Sequence, residues 1–198
     1  MKPRSDDTSA VVREGVEKAA REFSERIAPL GFSRTKRLLW VRRHLHTADV
    51  IGLSRGFRPP LNYSVDLSID FIRVLNDAFE GLALNAPNAP ALVSAGRYHH
   101  RFNAKSGSTY ERCIDDLSRF VSSECEPWFV RFREVEALLS FADSPLGQPE
   151  KHRLRDALTG NGETSAVERS LKLLGISTRR DRNTKPDEPD NDGFGPET

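Results

Sequence analysis

The chain has 198 residues, enough for one domain that buries roughly 70% of the surface its unfolded form exposes, so folding needs no disulfide or metal staple. Hydrophobic residues make up 37% and charged residues 30%, against averages of about 45–50% and about 25%, which points to a well-solvated surface and some unfolded length. The formal net charge of +1 excludes a global attraction to nucleic acid or acidic lipid, so any such role has to rest on a local patch.

The opening Met1-Lys2-Pro3-Arg4-Ser5-Asp6-Asp7 has no apolar core of the signal-peptide kind, and no later run approaches bilayer length. The expectation is a soluble, cytoplasmic protein with no membrane partner. Cys113 and Cys125 are the only cysteines; on one helix they would stand about 18 Å apart, beyond disulfide reach, and they read as reduced, helix-packed thiols.

From Thr8 to Leu30, Val12, Val16, Ala19, Phe23, Ile27 and Leu30 recur at intervals of three and four, and Gly31 follows. That is an amphipathic helix with a terminator, in which Pro29 stops regular hydrogen bonding slightly early. Ser33 to His46 and Thr47 to Gly56 read as two adjacent strands, rich in Val, Ile, Leu and Trp and lacking helix caps. Arg58-Pro59-Pro60-Leu61-Asn62 is a loop, since paired prolines remove two ladder donors. Then Tyr63, Val65, Leu67, Ile69 and Phe71 alternate with Ser64, Asp66, Ser68 and Asp70, the pattern of a strand with one buried and one wet face.

Asn76 to Leu92 looks irregular, and Gly96 to Phe102 adds a further strand carrying Tyr98 and Phe102. Ser108-Thr109-Tyr110-Glu111 has the form of a capping box ahead of a helix to about Cys125, and Pro127 opens a second helix striped by Phe129, Phe132, Val135, Leu138 and Leu139. That second helix is expected to pack beside the first. After the Ser144 to Pro149 break come two short helices, one through Leu154 and Leu158, the other through Val167, Leu171 and Leu174 before Gly175. The fold class is therefore α+β: a small antiparallel sheet of three to four or more strands packed against helices, with extra C-terminal helices. The divisions are an α+β core over residues 1–145, a helical extension over 146–178, and a disordered tail over 179–198, where apolar residues nearly vanish.

The order of helix, Gly31-Phe32, a basic strand through Trp40 and Arg42, an apolar strand and an alternating strand resembles an uncharacterised bacterial family, domain of unknown function 4304. The later helix with Pro127-Trp128-Phe129 is similar too, and the resemblance spans roughly Val11 to Leu139. It implies an α+β fold with an antiparallel sheet and carries over no activity, cofactor or catalytic set.

Few residues suggest chemistry. Asp66 and Asp70 share the wet face of one strand and could serve as metal ligands or an acid and base pair, but four residues of strand separate them by about 13 Å. Arg34, Lys36, Arg37, Arg42 and Arg43 form a basic run without an intervening acid, with Trp40 available to stack on a base; the plainer alternative is a charged sheet edge. His44 and His46 share a strand face, and His99 and His100 would point to opposite faces, without a Cys, Asp or Glu at a recognisable metal spacing. Trp128 and Phe129 read as core. Phosphate loops, dinucleotide turns, nucleophile elbows and paired-cysteine metal motifs are absent from the sequence.

The reading that follows is a non-catalytic protein-interaction or regulatory module without cofactor, catalytic residue or metal, whose helices cover one sheet face and leave the other for an unidentified protein partner. Its contact candidates are Arg34, Lys36, Arg37, Arg42, Arg43, Asp66 and Asp70. The alternatives are a hydrolase-type enzyme using Asp66, Asp70 and His residues on the sheet, and nucleic-acid binding through the Arg34 to Arg43 cluster.

Overall fold

The computed structural model describes residues 5–44, 47–56, 61–75, 83–84, 96–144, 146–159 and 164–176. Helix α1, Ser5–Ile27, closes in a 3-10 turn, Ala28–Leu30. Val12, Val16, Ala19, Phe23 and Ile27 are all buried, so the three-and-four spacing becomes one covered stripe. Pro29 lies in the 3-10 turn, where α-helical bonding has already ended, and Gly31 follows at φ 86°, a left-handed conformation that costs other residues about 1–2 kcal/mol.

The strands are β1 Ser33–Lys36, β2 Leu39–Arg43, β3 Thr47–Arg55, β4 Ser64–Leu75, β5 Ala83–Leu84 and β6 Arg101–Asn103. β1 to β5 lie side by side in sequence order, all antiparallel, and β6 pairs with the start of β4. The expected α+β fold with an antiparallel sheet is the one observed. One expectation needs correcting: the stretch from Ser33 is not a single strand but a hairpin, turning at Arg37-Leu38 so that Lys36 faces Leu39. Most of the predicted irregular stretch after Asn76, the Arg58 to Pro60 loop and the tail from Arg179 lie outside the described residues.

The expected alternation holds from Val65 to Phe71, whereas Tyr63, expected to open it, lies in a 3-10 turn, Leu61–Tyr63, and is half-buried like Ser64. Val65, Leu67, Ile69 and Phe71 are buried, while Asp66, Ser68 and Asp70 are exposed. Helix α2, Tyr110–Phe120, runs through a π-helical turn, Val121–Cys125, into α3, Glu126–Arg131. The expected helix beginning at Pro127 therefore continues its predecessor rather than packing beside it. Pro127 lacks an N–H and its ring crowds the carbonyl four residues back, at Ser123, which is where the helix widens. The expected capping box does not form either: Thr109, not Ser108, precedes the helix, at φ 62°, and donates from Oγ1 to the Arg101 carbonyl at 2.9 Å.

Helices α1, α2 and α3 cover the inner sheet face around Trp40, Ile51, Leu67 and Phe71. The Phe71 ring meets Phe120, Trp128 and Phe129 edge-on, and Trp40 meets Phe23 edge-on at 4.9 Å with its indole N–H donating to Ser24 Oγ at 2.8 Å. A satellite core of Phe132, Leu138, Leu146 and Leu154 joins α3 to α4, Val135–Ser140, and α5, Gln148–Leu158. Phe132 leaves helical geometry at φ −111°, ψ 26°, which splits the single helix expected over Phe129 to Leu139 into two.

The outer sheet face is not left bare. Helix α6, Thr164–Leu173, ends in a Schellman turn: the Ile176 N–H bonds to the Leu171 carbonyl at 2.8 Å and the Gly175 N–H to the Lys172 carbonyl at 3.0 Å. That turn sets Leu174 and Ile176 against Val41, Ala48, Val50 and Val74. The polar part of that face, around Asp66 and Asp70, stays exposed.

Candidate recognition site

Sheet register places three charged residues opposite one another on the inner face: Arg42 faces Asp49, and Asp49 faces Arg73. Asp49 and Arg73 are completely buried. Asp49 Oδ1 accepts from Arg73 Nε at 2.6 Å; Oδ2 accepts from Arg42 Nε at 3.0 Å and Nη2 at 2.8 Å, and lies 2.8 Å from His44 Nε2. Burial alone would raise the Asp49 pKa, but hydrogen bonds from His44, Arg73 and Arg42 outweigh it and hold the carboxylate below its ordinary value.

The two arginines pass the connection on to the helices. Arg73 donates to the Phe129 carbonyl at 2.6 Å and to the Phe132 carbonyl, groups left open where α3 ends. Arg42 donates to the Leu30 carbonyl at 2.8 Å, pairs with Glu126 at 2.9 Å and lies 4.5 Å over the Phe32 ring. With both oxygens held by arginine donors and its side chain fully buried, Asp49 is committed to charge pairing. This ladder is a buried structural tie between sheet and helices.

The other buried titratable groups are no better placed for chemistry. His100 is buried, neither ring nitrogen has a partner among the described residues, and burial lowers its pKa. Asp116 accepts from the His99 N–H at 2.8 Å and from Arg119 Nη2 at 2.6 Å; burial opposes ionisation, but these bonds prevail and its pKa is lowered. Burial pushes the Cys113 thiol up to about 12 and the Cys125 thiol up as well, the reverse of what a nucleophilic cysteine needs. Among the described residues no group of three or more His, Cys, Asp or Glu could hold a metal ion.

The contact candidates named from the sequence do not gather in one place. Arg42 is turned inward on the charge ladder, while Arg43, the next residue along the strand, is exposed on the outer face. Arg34 grips Glu17 of α1 through Nη1 and Nη2, at 2.8 and 3.0 Å, and donates from Nε to the Arg37 carbonyl at 2.9 Å. Lys36 runs along Gly175, where a Cβ would come within 3.0 Å of its Cγ. Asp66 pairs with Arg101 of β6 at 2.7 Å, and Asp70 is exposed opposite Gly52. His44 serves Asp49, and His46 lies outside the described residues.

What the fold does bring together is a different set of cations. Where the N-terminal turns of α1 pass the hairpin tip and the end of β3, they leave an open cavity of about 390 Å³, within the range of about 300–1,000 Å³ usual for small-molecule sites. Arg13 comes from α1, Arg37 from the β1–β2 turn and Arg55 from the last position of β3; Ser9, Val16 and Leu38 contribute the hydroxyl and the apolar wall. No acid lines it among the described residues. Glu17, the nearest carboxylate to Arg37 at 3.7 Å, is held more closely by Arg34, whose hydrogen bond leads in keeping the Glu17 pKa below its ordinary value. Neither Arg13 nor Arg55 is paired with an acid among the described residues.

Of these cavity residues only Arg37 belonged to the basic run picked out from the sequence. Arg13 belongs to the charged, solvated face of α1, beside Glu14, and Arg55 stands on a separate strand, so no linear spacing connects them. Arg73 carried a fainter signal, because it sits on the inward parity set by Val65, Leu67, Ile69 and Phe71. No protein-family model, no curated protein and no solved structure matches the chain. No helix among the described residues is long and apolar enough to cross a membrane.

Proposed function

We propose that the protein is a non-catalytic interaction or regulatory module that recognises an anionic group at the cavity formed by Arg13, Arg37 and Arg55. The carrying observation is the make-up of that cavity: three arginines, apolar neighbours and no acid or imidazole among the described lining residues. Ser9 supplies a hydroxyl there, but a serine without an adjacent base is a weak nucleophile. The arrangement favours binding over turnover.

The alternatives draw less support. The hydrolase reading needs Asp66, Asp70 and His groups to converge, whereas Asp66 and Asp70 are exposed on the outer face and His100 is buried. The nucleic-acid reading needs Arg34 and Arg42 free for phosphates, whereas both are bound to acids of this chain. Two free, buried cysteines fit a reducing, cytoplasmic setting.

A panel of phosphoester, carboxylester and peptide substrates tests the reading. No turnover above buffer is expected. Turnover that disappears in Asp66→Asn or Asp70→Asn would sink it and restore the hydrolase.

A further inference from the structure

We infer that the cavity binds a phosphomonoester carried on an apolar body. This deepens the recognition reading of the same cavity and rests on it. Three arginines line one space in which no described lining residue is an acid, so their charges repel, and a single carboxylate would offset only one of them. A phosphomonoester brings up to two charges at neutral pH and three acceptor oxygens. Guanidinium is the side chain whose flat, forked donors match phosphate geometry in pairs, and the described basic residues of the lining are Arg rather than Lys.

The placement of each arginine suits that task. Arg13 and Arg55 are exposed and carry no acid partner among the described residues, so a ligand need break no ion pair to engage them. Arg37 has only a loose 3.7 Å contact with Glu17, and its side chain is 56% exposed, so turning it toward a ligand costs little. The bidentate Arg34 contact leaves Glu17 neutralised without Arg37. The exposed Ala10 and the half-buried Leu38 provide apolar surface beside the cations, which a bare inorganic anion would leave uncovered.

The test is calorimetric titration of the full chain with phenyl phosphate at low ionic strength, with inorganic phosphate and benzoate as comparators. Saturable one-to-one binding is expected, weakening as salt rises. Benzoate and inorganic phosphate should each bind at least about tenfold more weakly than phenyl phosphate. R13Q and R55Q, both at exposed positions and checked by circular dichroism, should each lose at least about tenfold, whereas R101Q on β6 should bind as wild type does.

Absence of saturable binding, benzoate or inorganic phosphate as tight as phenyl phosphate, or equal losses in R101Q would each overturn the assignment. If the titration fails while partner retention still depends on Arg13 and Arg55, the phosphate assignment alone falls. If both fail, the recognition reading falls with it.

Discussion

Replacing Asp49 with Asn removes the charge at the centre of the buried ladder while keeping the side chain's shape. Arg42 is 12% exposed in its side chain and retains Glu126, so it keeps a counter-charge. Arg73 has no exposure and no second acid partner among the described residues, so the penalty concentrates there. Breaking a buried pair by removing one partner costs about 3–5 kcal/mol, and the surviving carbonyl bonds to Arg73 place Asp49→Asn near the lower end, about 3 kcal/mol. At roughly 2–4 °C per kcal/mol for a chain of this size, the melting temperature should fall by about 6–12 °C. Urea denaturation at pH 7, followed by far-ultraviolet circular dichroism, reads the free energy directly. Asp49→Asn combined with Arg73→Met should be less destabilised than the two single changes added, since the double variant leaves no orphaned charge between these two positions. Because the folded Asp49 pKa is depressed, its contribution is present above the unfolded value of 3.8 and fades as pH falls through the folded one, so wild type should lose its advantage in acid. A loss below about 1 kcal/mol, or strict additivity, would refute the argument that Asp49 neutralises Arg73.

His100 supplies a pH dependence at a different point. Its folded pKa lies below the unfolded 6.5, so the unfolded chain binds the extra proton and stability should fall as pH drops below 6.5; His100→Phe should flatten that decline in denaturation midpoints taken from pH 7.5 to 5.5. Gly175→Ala faces both φ 75° and a Cβ within 2.8 Å of the Thr35 carbonyl. A loss of about 1–2 kcal/mol from the left-handed conformation alone is expected, with faster amide exchange around Leu174 and Ile176. Ser24→Ala strands the buried Trp40 indole N–H, at a cost of about 1–3 kcal/mol by chemical denaturation.

Elements that carry their own period were legible from sequence alone. The α1 stripe and the β4 alternation each determine one buried face without help from elsewhere, and the structure places both as expected. Features made by pairing distant residues were not. Arg42 looked like one of several solvated cations because its acids, Asp49 and Glu126, lie on another strand and on a helix far along the chain. The hairpin at Arg37-Leu38 was hidden because the turn has neither Gly nor Pro to mark it. Pro127 suits a helix start, its commonest helical position, but the chain instead absorbs it by widening the preceding turn. The arginine cavity draws on three separate elements, so only the fold makes it visible.

The central claim is recognition through Arg13, Arg37 and Arg55, and the most direct measurement compares partners retained by the immobilised wild-type chain with those retained by an R13E/R55E variant of equal stability. The account predicts that specific partners held by wild type are lost from the variant and are displaced from wild type by phenyl phosphate. Retention of the same partners by both chains, undisturbed by phenyl phosphate, would contradict it.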